Sequence, residues 1–98
     1  PETIELIDVR GTGEYDEVHL KEAKNIPLHI LPVRIAEVDK NKKVVFICRS
    51  GGRSGQATSF AEGEWIKAYN LSGGMNAIEA DYESKVIRGQ KKGLFGMF

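Results

Sequence analysis

Cys48, Arg49, Ser50, Gly51, Gly52, Arg53 and Ser54 form the stretch of this sequence most loaded with reactive and anion-binding residues. They follow the apolar run Val44-Val45-Phe46-Ile47, so Cys48 ends a candidate buried strand. Successive backbone N–H groups of residues 49 to 54 can curl around the sulfur, with Gly51 and Gly52 accepting the positive φ of such a curl. A helix begun by this loop turns its positive end to the same point, and Arg49 and Arg53 add two positive charges. Each effect favours thiolate over thiol and predicts a Cys48 pKa below about 8.5. An acidified thiolate in an anion-binding nest is a nucleophile for an anionic substrate. A cysteine after an apolar strand is by default a small buried hydrophobe. Two arginines and two adjacent glycines are more than a structural turn needs.

The elements that must hold this loop can be read from hydrophobic period. Ile4 to Val9 and Val44 to Cys48 are near-continuous apolar runs, the pattern of parallel strands covered on both faces. Lys24-Asn25-Ile26 and Ala68-Tyr69-Asn70-Leu71 are shorter strand candidates. Leu31, Ile35 and Val38 predict one helix with Pro32 in its first turn, Ala57, Phe60 and Ala61 a second, and Met75, Ile78 and Tyr82 a third after Gly73-Gly74. Alternation of this kind gives an α/β domain, a small parallel sheet with helices on both faces. In such sheets ligands bind at the carboxyl ends of strands, which is where the Cys48 loop lies.

Composition narrows the function. Ninety-eight residues make one small domain, assigned to residues 1–88 with a basic and apolar tail over 89–98. Lys plus Arg number 14 and Asp plus Glu 14, a balance that argues against nucleic acid as a partner. One cysteine forms no intrachain disulfide, and with two histidines it builds no structural zinc site. No apolar run approaches the ~20 residues of a membrane span, and no signal-peptide pattern is visible, so a cytoplasmic location is expected. A sequence starting at Pro1 reads as a segment of a longer chain. A membrane enters only if a transmembrane segment follows Phe98, since Arg88, Lys91 and Lys92 precede Leu94, Phe95, Met97 and Phe98.

The loop Cys48-Arg49-Ser50-Gly51-Gly52-Arg53-Ser54 resembles the active-site loop of single-domain rhodaneses, a thiosulfate sulfurtransferase-like family. Leu6-Ile7-Asp8-Val9-Arg10, Glu14-Tyr15 with His19-Leu20, Asn25-Ile26-Pro27-Leu28 and Leu71-Ser72-Gly73-Gly74-Met75 are similar to the family's other ordered motifs. The resemblance spans about residues 4 to 88. Val18, Lys21-Glu22 and Ile78 depart from the family's usual Gly, Pro-Gly and Trp, and the first strand and helix of the family fold are missing at the front. The resemblance implies a rhodanese-like fold with one sheet edge bared. It implies Cys48 as nucleophile and Arg49, Ser50, Gly51, Gly52, Arg53 and Ser54 as the substrate-binding loop. No metal or organic cofactor is implied, the carrier being a covalent cysteine persulfide.

Loop length bears on the chemistry. Phosphatases and arsenate reductases of the same fold use Cys-x5-Arg, whereas four residues separate Cys48 from Arg53 here. One residue is worth up to ~3.5 Å of chain, so the shorter cradle suits a single sulfur atom on the cysteine. The expected partners are a small anionic sulfur donor such as thiosulfate and an acceptor thiol, cyanide or partner-protein cysteine. The alternatives are a non-catalytic rhodanese module that binds or regulates and, less favoured, a phosphatase-type enzyme. Among other polar residues, Asp8 and Arg10 read as a structural ion pair and His19 as a packing residue. Glu14, Asp16 and Glu17 read as a solvated face, and Trp65 as a core or rim aromatic.

Overall fold

The computed structural model describes residues 4–89. Its centre is a four-stranded parallel sheet in the order β3-β1-β4-β5, with β1 at Ile4–Asp8, β3 at Lys24–Asn25, β4 at Lys43–Ile47 and β5 at Ala68–Asn70. The inner strands β1 and β4 carry adjacent apolar residues, Leu6-Ile7 and Val44-Val45-Phe46-Ile47, because side chains of both faces are covered there. Ile7, Val44 and Phe46 face one core with Ala57 and Ala61, whereas Leu6 and Ile47 face another with Met75 and Ile78. The first layer comprises α2 (Leu31–Arg34) and α3 (Gly52–Gly63). The second comprises α1 (Thr12–Glu17), α4 (Gly74–Asp81) and a small antiparallel ladder of β2 (Val18–Leu20) with β6 (Val86–Arg88). The α/β expectation therefore holds.

Register places the chemistry. Asp8 stands opposite Ile47, and the ladder continues past the strand ends with Val9 N–H donating to Ile47 O at 2.9 Å. The loop after β4 thus emerges beside the Asp8–Arg10 segment at the carboxyl rim. Cys48 continues the Val44, Phe46 alternation and points to the α3 side. Asp8 and Arg10, both fully buried, form the expected ion pair at 2.8 Å, and Arg10 Nη2 also donates to Val18 O at 2.6 Å.

Several local expectations give way. The helix over Leu31 to Val38 is broken: α2 ends at Arg34 and a 3-10 turn takes Ile35–Glu37, although Leu31 and Val38 are still buried. Tyr82 falls outside α4 and is exposed, because the helix stops at Asp81. Trp65 is neither core nor rim, being 91% exposed. It occupies the left-handed position after α3, φ 66°, in a Schellman turn where Trp65 N–H donates to Glu62 O and Ile66 N–H to Ala61 O. The turn packs Ile66 against Ala61 in the core and directs Trp65 to solvent. The tail assigned to 89–98 lies, apart from Gly89, outside the described residues, and Gly89 N–H extends the β2–β6 region by donating to Glu17 O. Among the described residues no helix is long and apolar enough to cross a membrane.

Candidate functional site

Cys48 Sγ sits in a pocket of hydrogen-bond donors at the start of α3. Gly51 N–H donates to it at 3.0 Å and Ser54 Oγ lies 3.2 Å away, while the sulfur's residue is only 1% exposed. Burial pushes the thiol up. The Ser54 hydroxyl and the amides of Ser54, Gly51 and Ser50 outweigh that and hold it below its ordinary value. Gly51, with φ 118°, is the residue that must be glycine for this curl. Gly52 begins α3 without a positive φ, so the expectation that both glycines use that freedom holds for Gly51 alone.

The Ser50 amide faces the sulfur because its partner carbonyl is held from behind. In a trans peptide C=O and N–H point oppositely. Cys48 O accepts from Met75 N–H at 2.8 Å and Arg49 O from Asn76 N–H at 3.0 Å, both at the start of α4. Fixing Arg49 O in this way aims the Ser50 amide at the sulfur. The approach requires Gly74, φ 49°, since a Cβ there would lie 2.2 Å from Cys48 O. This is the physical content of the Gly73-Gly74 pair.

The two loop arginines are placed differently from the sequence expectation. Arg49 Nη1 binds Glu79 Oε2 of α4 at 2.7 Å, and Arg53 binds both carboxylate oxygens of Glu14 at 2.7 and 3.0 Å. Their charges are shared with carboxylates, so hydrogen bonds to the sulfur, ahead of arginine charge, lower the thiol. Arg53 nevertheless feels the charge of Cys48. Glu14 leaves the solvated acidic face that Asp16 and Glu17 occupy and turns inward to the loop. The Arg53 hydrogen bonds bring its carboxyl down to about 2, against the upward push of burial. Glu14 and Arg53 also border a cleft of about 320 Å³ walled by Val9, Pro27, Leu28 and His29. His19 is stacked on Tyr15 with ring centroids 3.8 Å apart and its Nδ1 is 2.8 Å from Tyr15 O, which fits the packing role. Among the described residues no three His, Cys, Asp or Glu side chains gather where a metal ion could be held.

Residues 1–81 match the family model for the Rhodanese-like domain. The chain belongs to the rhodanese-like domain family. A putative sulfurtransferase of Bacillus subtilis is 37% identical to this rhodanese-like chain over 84 residues, covering 86% of it and 82% of the relative. A thiosulfate sulfurtransferase of Escherichia coli is 36% identical over 74 residues, covering 74% and 71% respectively. The solved structure of a rhodanese with anions from Escherichia coli superposes with a TM-score of 0.71 at 32% identity, covering 88% of this chain and 99% of that one.

The rhodanese-like site thus gathers Cys48, Ser50, Gly51 and Ser54 around one sulfur, with Arg53 near enough to feel its charge and Arg49 turned to Glu79 of α4. Sequence reasoning missed the partners: Glu14, Glu79, the Met75 and Asn76 amides, and Asn70. Asn70 ends β5, its Nδ2 donating to Gly51 O at 3.1 Å and its Oδ1 lying 2.5 Å from Ser54 Oγ. The rule that carboxyl ends of parallel strands host ligands is the one signal that pointed to it.

Proposed function

We propose that this chain is a sulfurtransferase that carries sulfane sulfur as a persulfide on Cys48. The thiolate attacks the outer sulfur of thiosulfate or a related small anionic donor. A new S–S bond forms, the donor's own S–S bond breaks, and sulfite leaves with the electron pair. A second nucleophile then attacks the terminal sulfur and Cys48 departs as thiolate. That nucleophile is a deprotonated thiol, cyanide or a partner protein's cysteine. The cycle calls for no metal or organic cofactor. The observation that carries this reading is the donor pocket around Cys48 Sγ, since the same N–H groups that stabilise a thiolate receive the negative terminal sulfur of a persulfide. Arg49 and Arg53 are 36% and 39% exposed, so an anionic donor can reach their guanidinium groups by exchanging with Glu79 and Glu14. The named activities of the Bacillus subtilis and Escherichia coli relatives support the reaction class. Four residues between Cys48 and Arg53, against the five of same-fold phosphatases, favour sulfur over a wrapped phosphate.

Intact-mass spectrometry after mixing with thiosulfate tests the reading, with Cys48→Ser as control. One added sulfur atom in the parent, removed by cyanide or a thiol and absent from the variant, is the expected result. No gain from thiosulfate or polysulfide in folded protein overturns it in favour of a binding module.

A further inference from the structure

Ser54 is fully buried, and its one hydroxyl proton faces two acceptors. Oγ is 3.2 Å from Cys48 Sγ and 2.5 Å from Asn70 Oδ1. Turning the Asn70 amide round does not relieve the competition. Its Nδ2 donates to the Gly51 carbonyl, which only accepts, so Oδ1 must face Ser54. We propose that Asn70 is a positioning residue that tunes the acidity of Cys48 by competing with the sulfur for the Ser54 proton. This rests on Cys48 being the nucleophile of the proposed function.

The hydroxyl follows the charge on Sγ. In the thiol, S–H donates to Ser54 Oγ and the hydroxyl donates to Asn70 Oδ1. When Cys48 gives its proton to solvent, the hydroxyl turns to the thiolate, and water meets Asn70, which is exposed. In the persulfide the negative charge sits on the terminal sulfur, Sγ is a neutral divalent atom, and the hydroxyl returns to Asn70. Asn70 therefore favours the two neutral states of Sγ over the thiolate, restraining the free nucleophile while easing formation of the loaded enzyme.

The test is the thiol titration of Cys48, read by thiolate absorbance and by the pH dependence of iodoacetamide alkylation. Parent, Asn70→Leu, Ser54→Ala and the double variant are compared, with folding checked by circular dichroism. Asn70→Leu lowers the midpoint by about one pH unit and Ser54→Ala raises it by about one. In the Ser54→Ala background the Asn70→Leu shift shrinks to what loss of the Nδ2 bond to Gly51 O contributes, because the competition for the proton is gone. An unchanged or raised midpoint in folded Asn70→Leu overturns the proposal, as does an equal shift in both backgrounds. Should the leucine variant fail to fold, Asn70→Asp keeps the acceptor and pulls the proton harder. Its midpoint rises, and by less when Ser54 is absent; equal rises refute the competition. Alkylation needs no sulfur donor, so these outcomes are independent of whether Cys48 loads sulfur from thiosulfate.

Discussion

Gly74→Ala puts the support of the sulfur cradle to a direct test. The added Cβ would lie 2.2 Å from Cys48 O, 2.9 Å from Arg49 O and 3.0 Å from the Arg49 carbonyl carbon, all backbone atoms with no flexible end to swing aside. Relief requires α4 to retreat, which breaks or stretches the Met75 and Asn76 hydrogen bonds to those carbonyls. Two hydrogen bonds at about 0.5–1.5 kcal/mol each, plus about 1–2 kcal/mol for a non-glycine residue at φ 49°, predict a loss of about 2–5 kcal/mol. The chemistry suffers with the fold: once Arg49 O is released, the Ser50 amide is no longer aimed at Sγ, and the Cys48 thiol rises toward its ordinary value. Denaturant unfolding measures the first effect, and alkylation rate at neutral pH, in conditions where the variant is folded, measures the second. Gly52→Ala is the control for stability, since its Cβ meets nothing within 4 Å and its φ is not positive. A Gly74→Ala protein within about 0.5 kcal/mol of the parent, the scatter of an ordinary surface substitution, would refute the clash and the support role together.

Two further perturbations probe the turn after α3 and the ion pair beside the loop. Trp65→Gly removes the left-handed strain of the Schellman turn while leaving Ile66 packed on Ala61, so stability rises by about 1 kcal/mol in thermal or denaturant unfolding; a fall would mean that the exposed indole is held by contacts of its own. Glu14 is held at about 2 in the fold by Arg53 and titrates near about 4.3 when unfolded, so the folded state binds fewer protons between those values. The bridge's contribution is complete above that window and is lost as pH falls through it. Half-exposure limits it to about 1 kcal/mol, so Glu14→Gln lowers stability by no more than that near neutrality and flattens the acid limb, whereas parallel acid limbs in both proteins would remove the bridge from the account.

What could be read ahead of the structure follows from the range of the interactions involved. β1 and β4 are legible because two covered faces write apolar neighbours side by side, Leu6-Ile7 and Val44-Val45-Phe46-Ile47, and α3 because a glycine loop leads into a small-residue stripe. The β2–β6 ladder is not, because its strands are three residues long, carry His19 and Arg88, and exist only through pairing distant in sequence. α1 is equally silent: six residues, none buried, held by Glu14 accepting the Gly11 amide at 3.0 Å. In the site, the cysteine, the Gly51 turn and Ser54 are local and were visible. The roles of Arg49 and Arg53 were not, since a guanidinium's effect on a thiol depends on which carboxylate it meets, and Glu79 and Glu14 arrive from other elements.

That distinction changes how the reactivity of the sulfur is to be understood. An arginine beside a thiolate acts through space and is weakened by every carboxylate it pairs with. A peptide N–H aimed at the sulfur acts at contact and cannot be withdrawn by a competing side chain while its carbonyl is held. Here the two loop arginines are paired, and the carbonyl behind the Ser50 amide is fixed by α4, as is that of Cys48 itself. Leu71-Ser72-Gly73-Gly74-Met75, far along the chain from Cys48, therefore supports the nucleophile as directly as the loop that carries it. Gly74 lets the helix approach, Met75 and Asn76 hold the carbonyls, and Gly51 turns the chain so that its own amide completes the cradle.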